Sequence, residues 1–154
     1  VDGLDGLLLA ADEDIVGAAA QRFGSQCVVA VVDVKAAPDG RPVVWTRSAT
    51  NPTVLEPAAL ARTLEDAGAG EILLQSVDRD GTMTGYDIET LASVTAAVSI
   101  PVIASGGAGN FDHMVAALEV GAAALAAGAM YHFTEQTPME AKAHLGRAGY
   151  PVRR

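Results

Sequence analysis

The chain has 154 residues, 50% of them hydrophobic, 19% charged and 5% aromatic, which is enough apolar side chain for one sizeable core and argues against disorder. Lys plus Arg at 10 against Asp plus Glu at 19 give a formal charge of -9; that field repels a phosphate backbone and argues against a nucleic acid polymer as partner. The single cysteine, Cys27, excludes an internal disulfide and a cysteine-rich zinc site, and no segment reaches the roughly 18 uninterrupted apolar residues of a membrane helix.

Residues 1–11 diverge from the pattern of the rest and lack the basic start of a signal peptide. They hold a weak apolar run, 7–10, whose flanking Gly3 and Gly6 and short length leave it open whether it forms a strand, or a fragment of one, at all. A helix is predicted over 12–22, then an apolar run over 27–33. The segment 36–57 stands apart: Pro38-Asp39-Gly40 reads as a turn and 43–46 as an extended piece, so a small hairpin precedes the next helix. That helix, 57–67, has proline in its first turn and Gly68 past its end. Next come a run over 71–77, a helix over 87–98, a run over 101–105, and a helix over 111–120 ended by Gly121. A last run covers 122–128 and a last helix 138–148, ended by Gly149.

Apolar runs alternating with helices are the sequence form of consecutive βα units and of a parallel sheet. Each run is apolar on successive residues, as in strands covered on both faces. A complete (βα)8 barrel takes about 250 residues and at least about 200, so the expectation is half of one: a single α/β domain over 1–154 with four parallel βα units. Such a half leaves sheet edges and one apolar face bare, which invites pairing with a second copy or a complementing half.

The polar residues gather where the runs end, the end at which βα enzymes build their sites. Asp33 follows a buried run. Burial there raises a carboxyl pKa toward the range useful for proton transfer; the competing reading is a turn cap or a pair with Lys35. Asp78-Arg79-Asp80-Gly81-Thr82 is a dense polar loop, open to substrate contact, to an ion-pair network or to calcium, although its spacing departs from the EF-hand loop. Ser105-Gly106-Gly107-Ala108-Gly109-Asn110 opens a helix, and its glycines let backbone N–H groups approach an anion. The small residues 125–129 supply exposed backbone beside it, so the two loops together read as a phosphate cradle.

Other candidates have plainer readings. His113, His132 and His144 show no paired ligand spacing, so no metal site is assigned. Cys27 reads as a small core residue, and Trp45 and Tyr131 as cover for apolar surface. No cofactor is implied by any of these residues.

The chain resembles the cyclase subunit of imidazole glycerol phosphate synthase, the HisF family, from about residue 12 to 153. The matching stretches are Phe23-Gly24-Ser25-Gln26, Val32-Asp33-Val34-Lys35, residues 68–74, Asp78-Arg79-Asp80-Gly81-Thr82, Gly85-Tyr86-Asp87, residues 102–109 and Tyr131-His132-Phe133. The resemblance implies the C-terminal half of a barrel in histidine biosynthesis. There, ammonia from a glutaminase partner cyclises and cleaves a phosphoribulosyl-formimino ribonucleotide, with two aspartates as general acid and base. Asp33 matches the second of these. Asp80, Gly81, Ser105, Gly106, Gly107, Ala127 and Gly128 match the site that holds one substrate phosphate.

The family's first four βα units, with the other aspartate and the other phosphate site, have no counterpart in this sequence. Ala49 and Val54 stand where the family carries glycine, and residues 133–138 look at least as much like a paralogous branch that amidinates sugars for surface polysaccharide. Two classes of function are therefore in play: a cytoplasmic cyclase-type lyase fragment, and a noncatalytic phosphate-binding module that assembles as a homodimer.

Overall fold

The computed structural model describes residues 13–153, so the 7–10 run lies outside it. Helix α1 (Glu13–Phe23) leads through a 3-10 turn at Ser25–Cys27 into strand β1 (Val29–Ala36). The Val28 N–H closes that turn on the Ser25 carbonyl at 2.9 Å, so the strand begins after Cys27 and not at it. Cys27 is exposed in the turn, which corrects its reading as a core residue.

The predicted hairpin forms and extends the sheet. β2 (Pro42–Thr46) pairs antiparallel with β1, Asp33 opposite Trp45, and β3 (Asn51–Pro52) pairs with β2. At the first turn the Gly40 N–H reaches the Ala37 carbonyl at 2.8 Å, and Arg41 pairs with Asp39 at 2.8 Å. At the second, Arg47, Ser48 and Ala49 all hold positive φ, 53° to 56°. A Cβ makes that conformation cost roughly 1–2 kcal/mol per residue, which is why glycine suits position 49.

The chain then alternates: α2 (Pro57–Asp66), β4 (Glu71–Ser76), α3 (Ile88–Thr95), β5 (Val102–Ser105), α4 (Phe111–Glu119) and β6 (Ala124–Leu125). Local chemistry sets the starts. Pro57 occupies the first turn of α2, Asp87 caps α3 through the Thr90 N–H, and Asn110 caps α4 through the His113 N–H at 2.9 Å. The predicted strand 122–128 is only two residues long: Ala126 still bonds to the Ala104 carbonyl of β5, and 127–128 then leave the sheet to form its rim. A short helix, α5 (Ala129–Phe133), follows where none was expected. α6 (Pro138–Arg147) starts with a capping box between Thr137 and Glu140.

The six strands lie in the order β3-β2-β1-β4-β5-β6, with β1, β4, β5 and β6 mutually parallel. This is a mostly parallel α/β sheet of alternating βα units, consistent with part of a (βα)8 barrel. One face carries Ala30, Val32, Val34, Ile72, Leu74, Val102 and Ala104, all buried against helix residues such as Leu60, Leu64, Leu91, Val94 and Met114. The other face carries the residues between them. There Val29 is 47% exposed and Val31 59%, so among the described residues only one of two apolar faces is covered.

Candidate functional site

The open face and the C-terminal rim of the parallel strands hold the polar residues singled out in the sequence. Asp33 on β1 is in register with Gln75 on β4, and Gln75 with Ser105 on β5. Parallel neighbours in register project to the same face, so a carboxylate, an amide and a hydroxyl form one row about 5 Å apart from strand to strand. Burial holds the Asp33 carboxyl above its ordinary range. The pair with Lys35 does not form among the described residues: the Lys35 ammonium sits 4.8 Å from the centre of the Trp45 ring. Trp45 lies opposite Asp33, and its indole N–H is buried without an acceptor among the described residues.

Three loops meet at the other end of the row. The β4–α3 loop is fixed by hydrogen bonds and not by an ion-pair network. The Asp78 carboxylate accepts from the Ala36 N–H at 2.8 Å, Arg79 donates to the Gly85 carbonyl at 3.4 Å, and the Asp80 N–H donates to the Ser76 carbonyl at 3.0 Å. Asp78 is thus used up in tying its loop to β1, away from Asp80. In the β5–α4 loop, Gly106 and Gly107 hold φ of 88° and 104°. A Cβ on either would overlap a carbonyl oxygen, that of Ser76 or of Gly85 respectively. Only glycine lets the two loops nest this closely.

The nested loops and the rim of β6 enclose a pocket of about 210 Å³ lined by Asp80, Gly81, residues 105–108 and residues 126–129. All seven residues matched to the phosphate site of the resembled family are in that lining, and Asp33 is not. The amides of Gly106, Gly107, Ala127 and Gly128 have no acceptor among the described residues. Gly106 and Gly107 are buried, Ala127 is half-buried and Gly128 is exposed; N–H groups left unpaired in the buried part are costly and are normally satisfied by a ligand or water.

A model of the family described as "Histidine biosynthesis protein" matches residues 7–137. The chain belongs to this histidine biosynthesis family. The match spans β1 to α5, and with them the Asp33 row and the whole pocket. It ends before α6, which the structure packs against α4 through Ala141 and Leu145 on the common core. No helix among the described residues is long and apolar enough to cross a membrane.

Sequence reasoning missed Gln75 and Tyr86 as parts of the site. Strict alternation along β4 was the available signal for Gln75: Glu71, Leu73 and Gln75 share the face of Asp33, while Ile72, Leu74 and Ser76 are buried under the helices. Nothing local marks Tyr86, whose hydroxyl donates to the Ala126 carbonyl 40 residues away at 3.0 Å.

Proposed function

We propose that this chain is a cyclase-type half of a (βα)8 barrel that grips one phosphate of a phosphorylated ribonucleotide and moves a proton through Asp33. The carrying observation is the set of unpaired amides of Gly106, Gly107, Ala127 and Gly128 in one small pocket, at the end of a row that begins with a carboxyl of raised pKa. Amides without acceptors suit an anion, and a carboxyl raised toward neutrality suits proton exchange. The resemblance to the cyclase supplies the reaction, ammonia-dependent cyclisation and cleavage. It needs a second carboxylate that lies on other strands. Asp80 lines the same pocket, so the amides work against one like charge.

Calorimetry with inorganic phosphate and with a phosphorylated ribonucleotide tests the cradle. Ser105→Asp, which adds a negative charge at the pocket, abolishes both, whereas Asp80→Asn tightens inorganic phosphate. Turnover with ammonium tests Asp33. When a complementing half is supplied, Asp33→Asn keeps the binding and loses roughly 10²- to 10⁴-fold in rate, the contribution of a general acid or base; equal rates would remove Asp33 from the mechanism. A sugar accepted in place of the ribonucleotide assigns the chain to the amidinating branch, and co-elution with a glutaminase tests that partner.

The open face favours a second reading, a phosphate-binding module whose role is assembly. Among the described residues, β2 leaves 29–32 of β1 unpaired on their outer side, and β6 has a neighbour only at β5. A two-fold axis brings these edges of two copies together and closes eight parallel strands over Val29, Val31, Leu73 and Ile103. Light scattering at micromolar concentration reads twice the chain mass in that case, and a well-folded monomer overturns it. Phosphate binding with no turnover beside a complementing half favours the module over the enzyme.

A further inference from the structure

We propose that Tyr86 is a positioning residue for the anion cradle: its phenol fixes the β6 rim at Ala126 and so sets where the amides of Ala127 and Gly128 point. This rests on the cradle reading above and adds to it the part that holds the cradle's width.

Tyr86 sits in the β4–α3 loop, one residue from the bond that joins this loop to the next rim. The Gly85 N–H donates to the Gly107 carbonyl at 2.7 Å, and the Tyr86 hydroxyl donates to the Ala126 carbonyl at 3.0 Å. Two consecutive residues therefore tie one loop to both of the rims that carry unpaired amides. Ala126 is also held from its other side, because its own N–H donates to the Ala104 carbonyl at 2.8 Å. With N–H and carbonyl both engaged, the peptide planes that follow it have little freedom, and these carry the Ala127 and Gly128 amides. Without the phenol, three alanines and a glycine, 126–129, have no side chain able to hold that turn.

The ring is buried, at 3% exposure, among the core residues of the helix-covered layer. Burial raises the phenol pKa well above its usual value, so the hydroxyl keeps its proton at neutral pH. A rim fixed before the ligand arrives loses less freedom on binding, and this is the source of the affinity a positioning group supplies.

Calorimetric titration of the chain with inorganic phosphate, well below the melting temperature of every variant, tests the role. Tyr86→Phe keeps the ring and removes only the donor. Its Kd for phosphate rises about 2- to 10-fold, the range set by one neutral hydrogen bond. Val94→Ala, a cavity in the core of α3 away from the pocket, lowers the melting temperature more than Tyr86→Phe does and leaves the Kd unchanged. Amide exchange without any anion gives a second readout: Tyr86→Phe speeds exchange at Ala126, whose amide is bonded to the Ala104 carbonyl, and not at Val102 or Ala104. Equal Kd values for wild type and Tyr86→Phe, or equal weakening by Val94→Ala, overturn the Tyr86 role and leave the cradle standing. No phosphate binding by the wild type overturns the cradle, and the role with it.

Discussion

The two faces of the parallel sheet are built from the same strands, one residue out of step, and they end up in opposite situations. Ala30, Val32 and Val34 are buried under helices while Val29 and Val31 stand largely in solvent. Val29, Val31, Leu73 and Ile103 nonetheless give the open face an apolar patch of the kind found in strands covered twice, while Asp33, Gln75 and Ser105 make its C-terminal end polar. Helix-face residues therefore hold the described residues together, and the open face is left with an apolar patch and a polar rim.

A cavity on the covered face gives the largest expected effect. Ile72 is fully buried at the centre of β4, so Ile72→Ala costs about 2–5 kcal/mol in chemical denaturation. The open-face counterpart Val31→Ala stays within about 0.5 kcal/mol in a single copy. Equal losses at the two positions would mean that the open face is already covered in solution.

The rim comes next. Gly107→Ala places a methyl group on the Gly85 carbonyl at a φ of 104°. The strain costs about 1–3 kcal/mol, and because the loops must part to relieve it, phosphate binding falls with it. A variant that loses stability and keeps its phosphate affinity would separate the nesting of these loops from the cradle.

The contrast between faces also explains what could be read in advance. Runs ending in Asp33, Val77 and Ser105 and helices opened by Pro57, Asn110 and Thr137 announce their elements through local chemistry, and the βα order follows. The rim after β6 does not. Residues 122–129 are mostly alanine, whose small apolar side chain distinguishes no face of a strand or helix, so neither the two-residue β6 nor α5 leaves a periodic trace. The meeting of Ser105 and Gly128 was legible because glycines and strand ends mark it, whereas Asp80 and Gly81 were joined to them only through the resemblance to the cyclase. Gln75 and Tyr86 were not, since register and a hydrogen bond across 40 residues exist only once the sheet has formed.

Association tests the open face itself. Val31→Glu puts a charge in the middle of the exposed apolar patch. In one copy the cost is within about 0.5 kcal/mol, as for other solvent-facing changes, and circular dichroism is unchanged. If a second copy covers that face, a buried unpaired carboxylate in each subunit dissociates the dimer, and sedimentation shows the wild-type mass halved.

Asp33 gives the smallest change in stability and the sharpest statement about the face it occupies. Burial raises its folded pKa above the ordinary 3.8, so the folded chain keeps a proton at pH values where the unfolded chain has released it. Stability therefore falls as pH rises from the ordinary carboxyl value through the raised one, stays lower above it, and returns on acidification through the same window. Asp33→Asn removes this penalty. At pH 7 the variant is more stable than the wild type, by less than about 0.5 kcal/mol because the half-exposed group is screened by solvent. At about pH 3, below both values, the difference vanishes. Urea denaturation at the two pH values measures both. A variant less stable than the wild type at pH 7 would mean that the protein holds this carboxylate in its ionised form by favourable contacts, and a group so held is a poor proton donor at the rim.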